Sequence, residues 1–190
     1  MQGILAGLGK CDTFPKNEYM KNVIPGKEVP RLIIDTVNGM MWNLRDQKPQ
    51  NLTLAVFYRG LHSPDCKLYI EELNSKFDEF REKGINIVCI SADNESLSEK
   101  TAIEWEVEKL TIGYNFSIED ALSWDLYISK GIDDSEPDVF FEPGLFLIKP
   151  DNTLYAASIQ SMPFVRPNLE DLLKSIDYIL DNEYPSSGNV

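Results

Sequence analysis

One histidine, three cysteines and a shortage of basic side chains set the first limits on this 190-residue chain. His62 alone cannot supply a histidine-based metal site, and Cys11, Cys66 and Cys89 lack zinc-ligand spacing. Three scattered cysteines are also too few for a disulfide scaffold, which favours a reducing, cytoplasmic setting. Against 31 acidic residues stand only 18 Lys and Arg, a net charge of −13. Nucleic acid is therefore not an expected partner, because phosphate binding needs a basic face. The imbalance is uneven, about +2 over residues 1–50, −7 over 51–130 and −8 over 131–190. A solvated surface explains the acidity; a basic partner is the alternative. No apolar run approaches the roughly 20 residues of a membrane span, and Met1 to Lys10 lacks the positive start of a secretory signal. No Gly-rich phosphate cradle is present, and Asp133 to Asp138 lacks the glycine and closing glutamate of a calcium loop. No metal or cofactor is expected.

Long Gly/Ser linkers, composition breaks and internal repeats are absent too, so one domain is the economical reading. It is expected over residues 29–185, after a lead-in at 1–28 and before a loose Pro/Ser/Gly-rich tail at 186–190. Val29 to Val37 and Met41 to Leu44 flank Asn38-Gly39 and predict a β-hairpin with a tight turn. Leu52 to Tyr58 is apolar enough for a strand buried on both faces. From Pro64 to Lys83, Cys66, Ile70, Leu73, Phe77 and Phe80 recur at helical spacing. Gly84 ends that helix and Ile85 to Ser91 returns as a parallel strand. Helices are predicted at Ser98 to Leu110 and Ile118 to Ile128, around a short strand at Thr111 to Tyr114. Gly131 to Pro143 reads as an acidic loop. Gly144 to Lys149 and Leu154 to Ile159 form a hairpin about Pro150-Asp151-Asn152, and Asn168 caps a last helix whose apolar face is Leu169, Leu172, Leu173, Ile176 and Leu180.

The chemistry-bearing stretch is Arg59-Gly60-Leu61-His62-Ser63-Pro64-Asp65-Cys66, where a strand gives way to a helix. A Cys-Pro-x-Cys at such a junction is a dithiol redox site, its first thiol made acidic by the helix N-terminus and its second able to close a disulfide. Here Ser63 holds the first position. As a nucleophile Ser63 needs a base, and the sole histidine is its immediate neighbour, a poor geometry for a hydroxyl-imidazole bond. As a helix cap it is well suited, with Pro64 first in the helix and Asp65 at the positive end of the dipole. Cys66 lies one turn in, on the apolar stripe, where an inert packed thiol and a reactive one are both open readings. Cys89 reads as core. Arg59 and His62 flank the turn, where they either hold an anion or sit on the surface. Arg166 reaches the same region or pairs within the acidic half.

Several blocks in order and spacing, Val56 to Cys66, Ile90-Ser91-Ala92-Asp93, Glu142 to Asp151 and Ser161 to Pro167, resemble the peroxiredoxin-like branch of the alkyl hydroperoxide reductase/thiol-specific antioxidant (redoxin) family. The resemblance covers roughly residues 29–185. It implies an α/β, thioredoxin-like three-layer sandwich with a central mixed sheet, to which the N-terminal β-hairpin is an addition. It also implies an attacking cysteine where Ser63 stands and a resolving role for Cys66. Val56 and Gly60 depart from the Pro and Thr of typical peroxiredoxins, and Pro143, which resembles the cis-proline of thioredoxins, stands where they carry arginine. A thiol-disulfide exchanger is the nearer likeness.

The implied activity is thiol-dependent antioxidant or thiol-disulfide oxidoreductase chemistry on a peroxide or disulfide with a thiol electron donor, impaired because Ser63 replaces the thiol. Ser63 and Cys66 are its catalytic positions, supported by Arg59, His62, Pro143 and Arg166. An introduced change and a natural loss of the thiol give the same sequence. The alternative is a non-catalytic module that binds a peptide or partner in a groove beside Pro143. A homodimer contact through Phe140-Phe141 and Met162-Pro163-Phe164 is a further expectation.

Overall fold

A computed structural model describes residues 22–188, so Cys11 and most of the lead-in fall outside the described residues. In chain order the elements are β1 (Ile33–Thr36), β2 (Met41–Asn43), a 3-10 turn (Leu44–Asp46), β3 (Leu52–Phe57), α1 (Pro64–Ser75), α2 (Phe77–Glu82), β4 (Ile85–Ile90), α3 (Glu95–Glu104) and β5 (Thr111–Tyr114). Then come α4 (Ile118–Ser123), β6 (Ile128–Lys130), β7 (Val139–Phe141), β8 (Gly144–Ile148), β9 (Leu154–Ile159) and α5 (Leu169–Asp181).

Seven strands make one sheet in the order β2-β1-β5-β4-β3-β8-β9. β3, β4 and β5 run parallel, while β8, β9, β1 and β2 join antiparallel, so the sheet is mixed as expected. The pleat of β3 explains the layering, because alternate side chains leave a strand on opposite faces. Leu52, Leu54 and Val56 pack with Ile70 and Leu73 of α1, Phe80 of α2 and Leu169, Leu173 and Ile176 of α5. Ala55 and Phe57 face the other way, into Phe116, Trp124 and Phe146. Both faces being covered, β3 is buried along its whole length, and its one hydroxyl side chain, Thr53, is buried with the rest.

Several boundaries differ from the sequence reading for identifiable reasons. The first hairpin exists, but its loop has three residues: Gly39 N–H donates to Thr36 O at 2.8 Å, Thr36 N–H to Met40 O at 3.0 Å, and of the Asn-Gly pair only Gly39 takes positive φ. The long helix from Pro64 breaks at Lys76, where Ser75 Oγ donates to the Glu72 carbonyl and competes with the backbone ladder. α3 starts at Glu95 because Asn94 Oδ1 accepts from Leu97 N–H at 3.0 Å, and it stops where Glu106 enters the left-handed region. Asp125 ends α4 in the same way, which leaves Ile128 to pair as strand β6 with Phe141 of β7 inside the supposed acidic loop.

Phe140 and Phe141 are buried in the fold and give no surface to a dimer contact, whereas Met162 and Phe164 are exposed. Residues 22–28, read as lead-in, dock on β9: Gly26 N–H donates to Leu154 O at 2.7 Å and Leu154 N–H to Lys27 O at 2.8 Å. Among the described residues no helix is long and apolar enough to cross a membrane.

Candidate active site

The loops after β3 and β4 leave the same edge of the parallel strands, the end at which ligands bind in open α/β sheets. They are tied together by Asp93, whose Oδ2 accepts from Leu61 N–H at 2.7 Å. Gly60 makes that approach possible. It holds φ +127°, and a Cβ there would lie 2.5 Å from Asp93 Oδ1. Gly60→Ala is expected to cost about 1–3 kcal/mol from backbone strain alone, read from urea unfolding. An unchanged midpoint would show that the turn is not held as described.

Asp93 is itself buried, and burial raises its carboxyl above the usual 3.8 while the Leu61 N–H pulls the other way. A raised carboxyl binds its proton more tightly folded than unfolded. Its contribution to stability is therefore complete below the ordinary carboxylate range and is lost as pH rises through the raised value. Asp93→Asn keeps an acceptor oxygen and cannot ionise. Relative to the parent, the variant is expected to be more favoured at pH 7 than in acid, by urea titrations at both; parallel profiles would contradict this.

From this turn the chain enters α1. Ser63 is 3% exposed, its Oγ accepts from Cys66 N–H at 3.4 Å, and Pro64 follows as the first helical residue. This is the N-cap role the sequence suggests. Among the described residues no base reaches the hydroxyl. The His62 ring lies 5.0 Å from the Phe140 ring, both of its nitrogens are without hydrogen-bond partners among the described residues, and burial lowers its proton affinity.

Arg59 sends its guanidinium away from the turn. Nε and Nη2 fork onto Glu142 Oε2 and Oε1 at 2.9 and 2.7 Å, with the plane over Phe140 and a longer contact to Glu136 at 3.8 Å. Glu142 is 2% exposed and also accepts from Ser129 Oγ at 2.6 Å. The Glu142 bond, ahead of all other causes, raises the proton affinity of Arg59. The Arg59 side chain is thus a structural clamp, while its backbone N–H donates to Cys66 Sγ at 3.4 Å.

Arg166, brought back by the segment between β9 and α5, has the other role. Its Nη2 donates to Cys66 Sγ at 2.8 Å, and its guanidinium lies over the Tyr69 ring at 4.9 Å. Tyr69 Oη in turn donates to the Pro167 carbonyl at 3.0 Å, which fixes the stack. No carboxylate pairs with Arg166 among the described residues, and its Nε and Nη1 are buried without partners. The structure thus favours the site reading of Arg166 over a salt bridge in the acidic half.

Pro143 is buried, and no peptide bond among the described residues is cis, so the expected cis-proline is a trans one. With Gln160 and Arg166 it lines a void too small for water. The open groove, about 310 Å³, lies instead beyond Arg166, against Asp65, Leu68, Tyr69 and Phe164. Ser63, Cys66, Arg59 and Arg166 therefore converge, with His62 and Pro143 at the margins. Cys89 is fully buried in β4, where burial pushes its thiol up, and both it and Cys66 are free thiols. Sequence reasoning missed Asp93, Glu142 and Tyr69 as parts of the site, although the first two lay in blocks already conspicuous for their spacing.

A mixed α/β fold of thioredoxin type, with a polar turn at the junction of β3 and α1, is the class these features define. The alkyl hydroperoxide reductase/thiol-specific antioxidant (AhpC/TSA) family pattern matches residues 25–157, and the chain belongs to that family. Solved structures similar in fold include a Cys-to-Ser mutant of the peroxiredoxin 6 of Arenicola marina, with TM-score 0.73 and 14% identity over 85% of this chain and 75% of that one. AhpC of Mycobacterium tuberculosis aligns with TM-score 0.67 and 14% identity over 88% of this chain and 99% of that one. Among curated relatives, the thiol-disulfide oxidoreductase ResA of Bacillus thuringiensis subsp. konkukian is 25% identical over 91 residues, 48% of this chain and 50% of its own. The chain spans about half the length of the curated relatives it matches.

Proposed function

We propose that this protein is a thiol-dependent oxidoreductase of peroxiredoxin-like type whose two-thiol cycle is interrupted at Ser63. The observation that carries the reading is the position of Ser63 Oγ, 3.4 Å from the Cys66 N–H at the start of α1, buried and without a base among the described residues. An attacking thiol there would gain from the helix N-terminus and lie one turn from Cys66. A serine hydroxyl gains too little from it to ionise near neutral pH and cannot form the disulfide. The substrate class is a peroxide or disulfide, with a low-molecular-weight or protein thiol as electron donor in a reducing compartment. The test compares hydroperoxide and disulfide reduction by the parent and Ser63→Cys under a thiol-regenerating system. Two-thiol turnover by the parent would overturn the interruption, and its absence from a folded Ser63→Cys variant would remove the redox reading.

A further inference from the structure

The open groove beyond Arg166 serves neither the cap at Ser63 nor the clamp on Glu142. Two separate elements hold large apolar side chains in water around it: Leu68 of α1 is 67% exposed, and Phe164, between β9 and α5, is 64% exposed. Met162 and Val165, on either side of Phe164 in the chain, are exposed as well. Apolar side chains gathered at one depression and rimmed by polar ones mark a surface that another molecule covers.

The rim sets the chemistry of that molecule. Asp65, Leu68, Tyr69 and Glu72 recur at helical spacing and share one face of α1, the two carboxylates at the ends and the apolar pair between them. Asp65 and Glu72 are exposed, and neither has an ion-pair partner among the described residues. The cations nearby are spent elsewhere. Lys67 meets Glu71 at 3.6 Å, Lys76 meets Glu170 at 2.9 Å, and the Arg166 guanidinium is held by Cys66 Sγ and the Tyr69 ring. What the groove offers is an apolar floor between two uncompensated negative charges.

We propose that this groove docks an extended, basic segment of another protein. One aromatic or large aliphatic side chain of the segment packs against Leu68, Tyr69 and Phe164, and a Lys or Arg on each side of it pairs with Asp65 and with Glu72. Seven helical residues set Asp65 and Glu72 about 10 Å apart along α1, a span that an extended chain covers in about three to four residues. Alternate side chains of an extended segment share a face. A cation, an apolar residue and a second cation at every other position therefore present all three groups to the groove together. The apolar anchor supplies most of the affinity, and the two cations supply orientation and speed of encounter. A second copy of this chain fits less well, because a net charge of −13 on each side opposes the contact. The proposal stands apart from the redox reading, since it uses neither Ser63 nor a reaction at Cys66.

The test is fluorescence anisotropy of a labelled Lys-Gly-Phe-Gly-Lys peptide with both ends blocked, titrated with the full chain. Saturable binding is expected, weakened at least about tenfold when the peptide's Phe becomes Ala or when both of its Lys become Glu. On the protein, Phe164→Ser and Glu72→Lys are each expected to weaken binding at least about fivefold. Glu119→Lys makes the same charge change at an exposed position of α4 and is expected to leave binding within about twofold. No saturable binding by the folded parent, or binding that neither Phe164→Ser nor Glu72→Lys alters, would overturn the proposal. So would an equal loss with Glu119→Lys, which would reduce the effect to general attraction to an acidic surface. Sedimentation velocity of the parent without peptide completes the test: a dimer that Phe164→Ser separates would also overturn the proposal, by showing that a second copy fills the groove.

Discussion

Ser63→Cys is expected to reduce hydroperoxide or disulfide substrates at least about a hundredfold faster than the parent, a difference of roughly 2.7 kcal/mol in barrier. The expectation follows from what already stands around position 63. The position is the N-cap of α1, where the helix dipole and free N–H groups favour negative charge. Thiols at helix N-termini ionise near or below neutral pH, whereas a serine hydroxyl does not. Cys66 lies in the first turn of the same helix and is a free thiol, available to resolve the oxidised partner. The substitution has a cost: cysteine caps a helix less well than serine, so the reduced variant is expected to lose about 0.5–2 kcal/mol of stability. Activity rising while stability falls would mark Ser63 as both a cap and a replaced nucleophile. A gain in neither peroxide nor disulfide reduction, in a folded variant, would mean that the turn is no longer a redox site.

The largest loss of stability is expected from Glu142→Ala. Glu142 is almost wholly buried, takes two bonds from Arg59 and one from Ser129, and has no apolar substitute for those contacts. Removing it strands a guanidinium in a mostly closed site, which costs about 3–5 kcal/mol for a buried pair. Arg59 retains 16% exposure, so the lower end of that range is expected. The double variant Arg59→Met with Glu142→Leu should recover much of the loss, since replacing both partners by apolar groups removes the stranded charge. If Glu142→Ala costs as little as an exposed pair, under about 1 kcal/mol, the clamp does not hold the turn. The consequence reaches the thiol, because Arg59 is the residue whose N–H meets Cys66 Sγ.

The core of this fold was legible wherever one local signal decided the outcome. Leu52 to Phe57 is buried along its whole length because both faces of β3 are covered, and Ser63-Pro64-Asp65 carries a complete helix start. Legibility ended where a distant partner decided. Nothing local to Ser129 or Phe140 announces the β6 and β7 pairing, and Glu106 and Asp125 end helices in a conformation usually read from glycine. At the site, the residue types were visible and their pairings were not. Arg59 was read as an anion holder or a surface side chain, and Arg166 as reaching the same region or pairing within the acidic half; only the fold gives Glu142 to the first and Cys66 to the second. Pro143 was legible as a residue beside the site but not as a buried trans one, since burial and isomer belong to the packed fold and not to the local sequence.

The interruption at Ser63 is tested most directly by counting thiols after oxidation. Reduced Ser63→Cys, treated with hydrogen peroxide and digested, is predicted to lose two thiols together and yield a disulfide joining position 63 to Cys66, while the parent forms no disulfide within the turn. A Ser63→Cys variant that is folded, oxidised and still without that disulfide would contradict the account.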